Sequence, residues 1–305
     1  LTTWQEVVEK FLTANDQMKK GNVELMKVWT NTEMGQTWEE DGETIEDDEL
    51  MKRREKYKCE VPEEVLYLTA GVDTQDDRFE IVGWGPEYES WGIRYAAIYG
   101  DNSDINNQVW QDLDTFLLQT FEKPDGTKMK LSCVCIDSGG HRTNQVYKFC
   151  KARFNRRVFA IKGSNDSAAA YIQKPSKSNR EGAYLFTLGV DTGKSLLMDR
   201  LKLEEEGPGF CHFPKEEGKG YDEKYFKGLT SEKKVMRYKM GRPYFAWELK
   251  DKGEHKRNEA LDCRNYATAA IEIINVPLKK PDKKKDATQA KKIVKRGRRR
   301  RGGIL

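Results

Sequence analysis

The chain has 305 residues, 37% hydrophobic and 34% charged, with a formal net charge of +4 and a mean hydropathy of −0.84. At roughly 150 residues per domain this is one large domain, or one domain with appendages, and 7 Trp, 13 Tyr and 12 Phe argue against disorder throughout. No run approaches the roughly 18 consecutive apolar residues of a membrane-spanning helix, and no basic, apolar leader opens the chain, so a cytoplasmic protein is expected. Leu1 in place of Met reads as the start of a piece cut from something longer.

Residues 1–62 read as a helical connector with too little apolar surface for a core of its own. Trp4, Val7, Val8, Phe11 and Leu12 recur at helical spacing behind Thr3, with Glu6 three residues on as a capping box. Further helices are expected from Asn22 to Trp29 and from Ile45 to Tyr57. At about Glu64 the character changes. Leu66 to Asp73 is a near-continuous apolar run ending in a carboxylate, as in a strand covered on both faces. Arg78–Trp84 and Ser90–Tyr99 complete an antiparallel meander. An amphipathic helix is expected over 105–122, then a strand Leu131–Asp137 with Cys133 and Cys135 on one face, a helix Thr143–Phe154 and a strand Val158–Ile161.

Residues 163–182 read as a polar loop, Tyr184–Val190 as a strand and Thr192–Leu203 as a helix. Residues 204–228 read as irregular, followed by a hairpin around Gly241-Arg242-Pro243 and a final helix Asn258–Ile274. The last stretch, 278–305, is expected to be a disordered basic tail. Between Lys279 and Arg301 it holds 8 Lys and 5 Arg against Asp282 and Asp286, a net +11, which leaves −7 for the residues before it. Such an arm suits phosphate or an acidic protein surface; a solvated tail or a localisation signal is the competing reading. The six cysteines lack CxxC pairing and read as reduced, mostly buried thiols rather than a zinc site.

Three carboxylates stand at the ends of core elements: Asp73, Asp137 and Asp262. A right-handed crossover from the meander returns the Leu131–Asp137 strand parallel to the first. Asp73 and Asp137 then end neighbouring strands at the edge where open α/β sheets place ligands. Like charges so close repel, so cations should share the site. Carboxylates alone suit hard Mg²⁺ or Mn²⁺, and two ions about 3.5–4 Å apart can hydrolyse a phosphodiester. Glu259, near Asp262 on the last helix, is a further candidate ligand. For any single acid, an ordinary surface carboxylate is the stronger reading.

Gly71-Val72-Asp73-Thr74-Gln75-Asp76-Asp77-Arg78, Val82-Gly83-Trp84-Gly85, Ile136-Asp137-Ser138-Gly139-Gly140 and Arg257-Asn258-Glu259-Ala260-Leu261-Asp262 resemble the nuclease half of the lambda-type (GpA family) phage terminase large subunit. Trp29 to Trp38 resembles that family's segment between motor and nuclease. The resemblance covers roughly residues 25–275. It implies an RNase H-like α/β fold over 63–277, a mixed sheet flanked by helices, and a metal-dependent endonuclease that cuts concatemeric viral DNA for packaging. It further implies an acidic triad of Asp73, Asp137 and Asp262 holding two Mg²⁺ or Mn²⁺ ions. Its partners would be double-stranded DNA, a small terminase subunit, a portal protein and an ATPase motor that these residues do not contain; no membrane is involved. A junction resolvase or transposase-type enzyme on the same fold, and a non-catalytic portal-docking module, are the rival readings.

Around this centre, Lys194, His255, Lys256 and Arg257 are candidate DNA contacts, with His141 a weaker one against a solvent-facing loop histidine. Gly189 to Ser195 mimics a P-loop but is one residue short; a phosphate resting on that helix start beside Lys194 is the better expectation. His212 reads as structural.

Overall fold

The computed structural model describes residues 3–19, 24–35, 45–74, 78–239, 242–250 and 258–279. In chain order its helices and strands are α1 (Trp4–Lys19), α2 (Glu24–Thr32), α3 (Asp47–Lys52), β1 (Tyr67–Asp73), β2 (Arg78–Trp84), β3 (Ser90–Ala97) and α4 (Gln108–Leu117). There follow β4 (Phe121–Glu122), β5 (Lys128–Met129), β6 (Leu131–Asp137), α5 (Thr143–Ala152), β7 (Val158–Gly163), β8 (Leu185–Leu188) and α6 (Val190–Leu201). The chain continues through β9 (Cys211–His212), α7 (Glu223–Leu229), β10 (Glu232–Lys239), β11 (Arg242–Leu249) and α8 (Glu259–Ile274). No helix among the described residues is long and apolar enough to cross a membrane.

Two units divide the chain. One comprises residues 1–44 with 232–252, the other 45–231 with 253–305. In the first, the capping box forms as the sequence predicts: Thr3 N–H donates to Glu6 Oε2 at 2.8 Å and Glu6 N–H to Thr3 Oγ1 at 3.3 Å. Trp29 ties α2 to α1, its indole N–H donating to Val7 O at 2.9 Å while its ring meets Phe11 at 4.9 Å. The same unit holds the antiparallel hairpin of β10 and β11.

The second unit is built on a seven-stranded mixed sheet of order β8-β7-β6-β1-β2-β3-β9. β1, β2 and β3 form the antiparallel meander, and β6, β7 and β8 run parallel outward from β1. With helices on both faces, this is the mixed α/β sheet that the sequence predicts. Strand alternation sorts the layers. Leu68, Ala70, Val72, Val134 and Ile136 pack beneath α4 and α5, against Val109, Trp110, Leu113, Phe116, Val146 and Phe149. Cys133 and Cys135 take the other face with Phe159, Ile161 and Leu188, against Tyr266, Ala269 and Ala270 of α8.

α8 lies on β1 almost without a gap. A Cβ on Gly71 would stand 2.1 Å from Cys263 O and 2.6 Å from Ala267 N, both backbone atoms, so only glycine fits there. Beside it, Thr69 Oγ1–H donates to Ala267 O at 2.7 Å and accepts from Trp84 Nε1–H at 2.7 Å. One turn along, Arg264 is fully buried and donates to Glu80 Oε1 at 2.8 Å and to Ser90 Oγ at 3.0 Å. The hydroxyls of Tyr221 and Tyr225 donate to the same Glu80 oxygen at 3.2 and 2.8 Å. Burial pushes the Glu80 carboxyl upward, and the guanidinium and hydroxyls oppose it. Losing one member of such a pair typically costs about 3–5 kcal/mol, so the network fixes how α8 is seated.

Several boundaries differ from the sequence expectation. The helix expected over Ile45–Tyr57 is only α3, because Glu55 bridges to Pro214. The one expected over 105–122 stops at Leu117, since Phe121 and Glu122 pair with Met129 and Lys128 around the Pro124-Asp125-Gly126 turn. The 163–182 loop is partly pinned, with Ile172 and Ser176 bridging antiparallel to Leu188 and Leu185. Residues 204–228 hold β9, parallel to β3, and α7, capped where Asp222 Oδ1 accepts from Tyr225 N–H at 3.0 Å. All six cysteines are free, and five are buried.

Candidate active site

β1 and β6 run parallel with Val72 opposite Ile136, so Asp73 and Asp137 end neighbouring strands on the same edge of the sheet. Their backbones are about 4.8 Å apart there. Both are nearly buried, at 8% and 9% exposed. The seat of α8 over Gly71 brings Asp262, in that helix's first turn, toward them. Burial first, then the charge of Asp262, raises the Asp137 carboxyl above its usual range, against the Gly139 N–H that donates to its Oδ1 at 3.0 Å. Tyr266, one turn past Asp262, is pushed up by burial and then by Asp262, Asp137 and Asp73 together. The three acids therefore surround one region of α8.

Glu259 is buried, but its charge acts on Arg78 and Tyr95, over β2 and β3, whereas that of Asp262 acts on Asp137 over β6. Lys194, in α6, is buried with its Nζ 3.3 Å from Asp262 Oδ1, while Asn258 Nδ2–H donates to Asp262 Oδ2 at 3.0 Å. Lys194 is thus paired with one of the three aspartates. His141 is exposed on the turn between Asp137 and α5. His255, Lys256 and Arg257 lie outside the described residues, as does most of the 278–305 tail.

Sequence reasoning missed the residues that hold the two strand ends together. Thr74 Oγ1–H donates to Asp137 O at 3.1 Å, Asn102 Nδ2–H to Thr74 O at 2.8 Å, and Arg142 Nε–H to Asn102 Oδ1 at 2.9 Å. Only tertiary structure joins these four; the polar run Gly100 to Asp104 reads locally as a loop. Asp73 and Thr74 also line an apolar pocket with Val72, Phe79, Trp110 and Leu113.

The donor set is all carboxylate, with one lysine, which is chemistry for a hard divalent cation. Among the described residues, the three acidic or histidine side chains whose ligand atoms all lie within 4.8 Å of one another are Glu55, Glu206 and His212.

Residues 1–284 match the family model described as the terminase large subunit gpA, endonuclease domain. The terminase large subunit of Escherichia phage lambda is 36% identical over 279 residues, and that of Enterobacteria phage P21 is 32% identical over 280. Each alignment covers 89% of this chain and 42% of the relative, so the chain spans less than half the length of either. Among solved structures, a lysine-to-alanine mutant of the nuclease domain of the large terminase subunit gp2 of bacterial virus Sf6, with manganese, superposes at a TM-score of 0.45. It is 18% identical, over 72% of this chain and 96% of that one. With its family model matched nearly end to end, the chain belongs to the terminase large subunit gpA endonuclease-domain family.

Proposed function

We propose that this chain is the nuclease part of a packaging terminase, a divalent-metal-dependent endonuclease that cuts concatemeric viral DNA. The observation that carries the reading is the placement of Asp73 and Asp137 on adjacent parallel strand ends with α8 delivering Asp262. Asp73 would be shared by two Mg²⁺ or Mn²⁺ ions, with Asp137 and Asp262 each holding one. When bound, such ions lower the pKa of water and stabilise the leaving oxygen of a phosphodiester.

The chain's own residues do the rest. The Thr74–Asn102–Arg142 chain fixes the spacing of the two strand ends. Lys194 balances Asp262 before DNA arrives and then offers its ammonium to a phosphate oxygen. Residues 63–277 carry this activity, and 1–62 connect it to a motor. The basic tail, together with His255, Lys256 and Arg257, meets DNA or a partner such as the small terminase subunit or the portal.

Supercoiled-plasmid nicking with Mn²⁺ or Mg²⁺ tests the reading. Wild type should nick, and Asp73→Asn should lose at least about a hundredfold in rate, as expected when a group central to transition-state charge is removed. Equal rates would leave a non-catalytic docking module as the answer. Comparing Glu259→Gln with Asp262→Asn separates the family triad from a transposase-type set, since the true ligand gives the larger loss.

A further inference from the structure

We infer that His212, Glu55 and Glu206 form a second metal site, a structural clip for a borderline cation of the Zn²⁺ type, at the far end of the sheet from the aspartates. Their ligand atoms already lie within 4.8 Å of one another. His212 belongs to the edge strand β9, opposite Trp91; the same row continues through Gly83 and Leu68 near the start of β1. Five residues along β1 and three strands across put it about 20 Å from Asp73.

The imidazole is built as a ligand rather than left as a chance surface group. It is 6% exposed, its ring stacks on Trp91 at 4.7 Å and 3°, and Phe210 meets its edge at 4.7 Å. Its Nε2 is 3.0 Å from Glu89 Oε1, the outer carboxylate that commonly holds the N–H of a metal-bound histidine. On the other side of the ring, Nδ1 is 2.7 Å from Glu55 Oε1, a hydrogen-bonded contact whose proton an ion would replace. Backbone bonds hold the frame, Glu55 N–H donating to Phe213 O at 3.0 Å and Lys215 N–H to Glu55 O at 2.8 Å, and the Arg53 guanidinium donates to Leu201 O and Leu203 O at 2.8 and 2.7 Å. Tyr57, two residues from Glu55, has a buried hydroxyl without a hydrogen-bond partner.

One histidine and two carboxylates leave a fourth, solvent position on a tetrahedral ion. Ligand atoms around such an ion stand roughly 3.3–3.6 Å apart, given bonds of about 2.0–2.2 Å. Half-exposed Glu55 must draw back from its 2.7 Å contact with Nδ1 and exposed Glu206 swing inward, both by side-chain torsions alone. A carboxylate-only centre favours Mg²⁺, whereas imidazole favours zinc, so the two sites select different ions. The clip would tie the segment before β1 and the loop after α6 to the sheet's edge strand.

Metal-stripped protein titrated with Zn²⁺ in a large excess of Mg²⁺, which fills the carboxylate centre, tests this. One Zn²⁺ per chain should bind, with a rise in Tm, because an ion that binds only the folded state stabilises it. Glu89→Gln should weaken binding about 10–100-fold. Glu206→Gln, on an exposed position that leaves folding intact, should weaken it by at least as much, and Asp262→Asn should leave it unchanged. No stoichiometric uptake, or equal uptake by Glu206→Gln, would overturn the assignment and leave His212 as a side chain hydrogen-bonded between two carboxylates.

Discussion

Asp137 shows how the site's charge is set one side chain at a time. Burial contributes most to the upward shift of its pKa, the Gly139 N–H opposes it, and Asp262 adds to it. Replacing Asp262 by Asn removes a like charge, so in metal-free protein the Asp137 carboxyl should titrate at lower pH. Carbon-13 NMR of the carboxyl carbon reads this directly, and an unmoved or rising midpoint would refute the proximity. The linkage has a definite sign: a carboxyl raised in the folded state favours folding as the pH falls from above that raised value toward the ordinary carboxylate range. Removing Asp262 therefore also shrinks this acid-side gain. The aspartates themselves were legible in the sequence, since each ends an apolar run or opens a helix. Asn102 and Arg142 were not, because their roles come from partners 28 and 40 residues away.

Among the elements, the contact of α8 with β1 governs both stability and site. Gly71→Ala would press a methyl into the Cys263 carbonyl and Ala267 amide, neither of which can rotate away. The helix must lift, at about 1–3 kcal/mol or more, and Asp262 moves with it. Urea denaturation should show the loss of stability, and plasmid nicking should fall even under conditions where the variant is fully folded. A destabilised variant with full activity would mean that the seat of α8 does not position Asp262. The meander, β6 and α8 were readable because long apolar runs and helical periodicity mark them. β9 and α7 were missed because a two-residue edge strand has no periodicity, and α7 has only seven residues in a Gly-, Pro- and Glu-rich stretch.

Over the whole molecule, charge is segregated along the sequence, with +11 between Lys279 and Arg301 and −7 before them. Non-specific DNA affinity is largely phosphate neutralisation, and the slope of log K against log salt is about −0.9 per phosphate contacted. Removing residues 279–305 should therefore weaken DNA binding and flatten that slope. At saturating DNA the nicking rate should hold, because the candidate catalytic acids lie elsewhere. Filter binding across a salt series gives the first result and single-turnover nicking the second. An unchanged slope would assign the tail to a protein partner. Charge segregation was plain from sequence alone, whereas the division into two units was not, because β10 and β11 group with residues 1–44 although about two hundred positions separate them.

The strand that receives α8 is made long before the helix: Thr69 and Ala267, joined by a hydrogen bond, are 198 residues apart. At about 5–20 residues per second, a ribosome needs about 10–40 s to cross that distance. For the later part of that interval, from the making of Asp137 to that of Asp262, the nascent polypeptide carries two of the three aspartates without the third. On the proposed function, translation order thus acts as a safety catch, since the three aspartates can meet only once nearly the whole domain has been made.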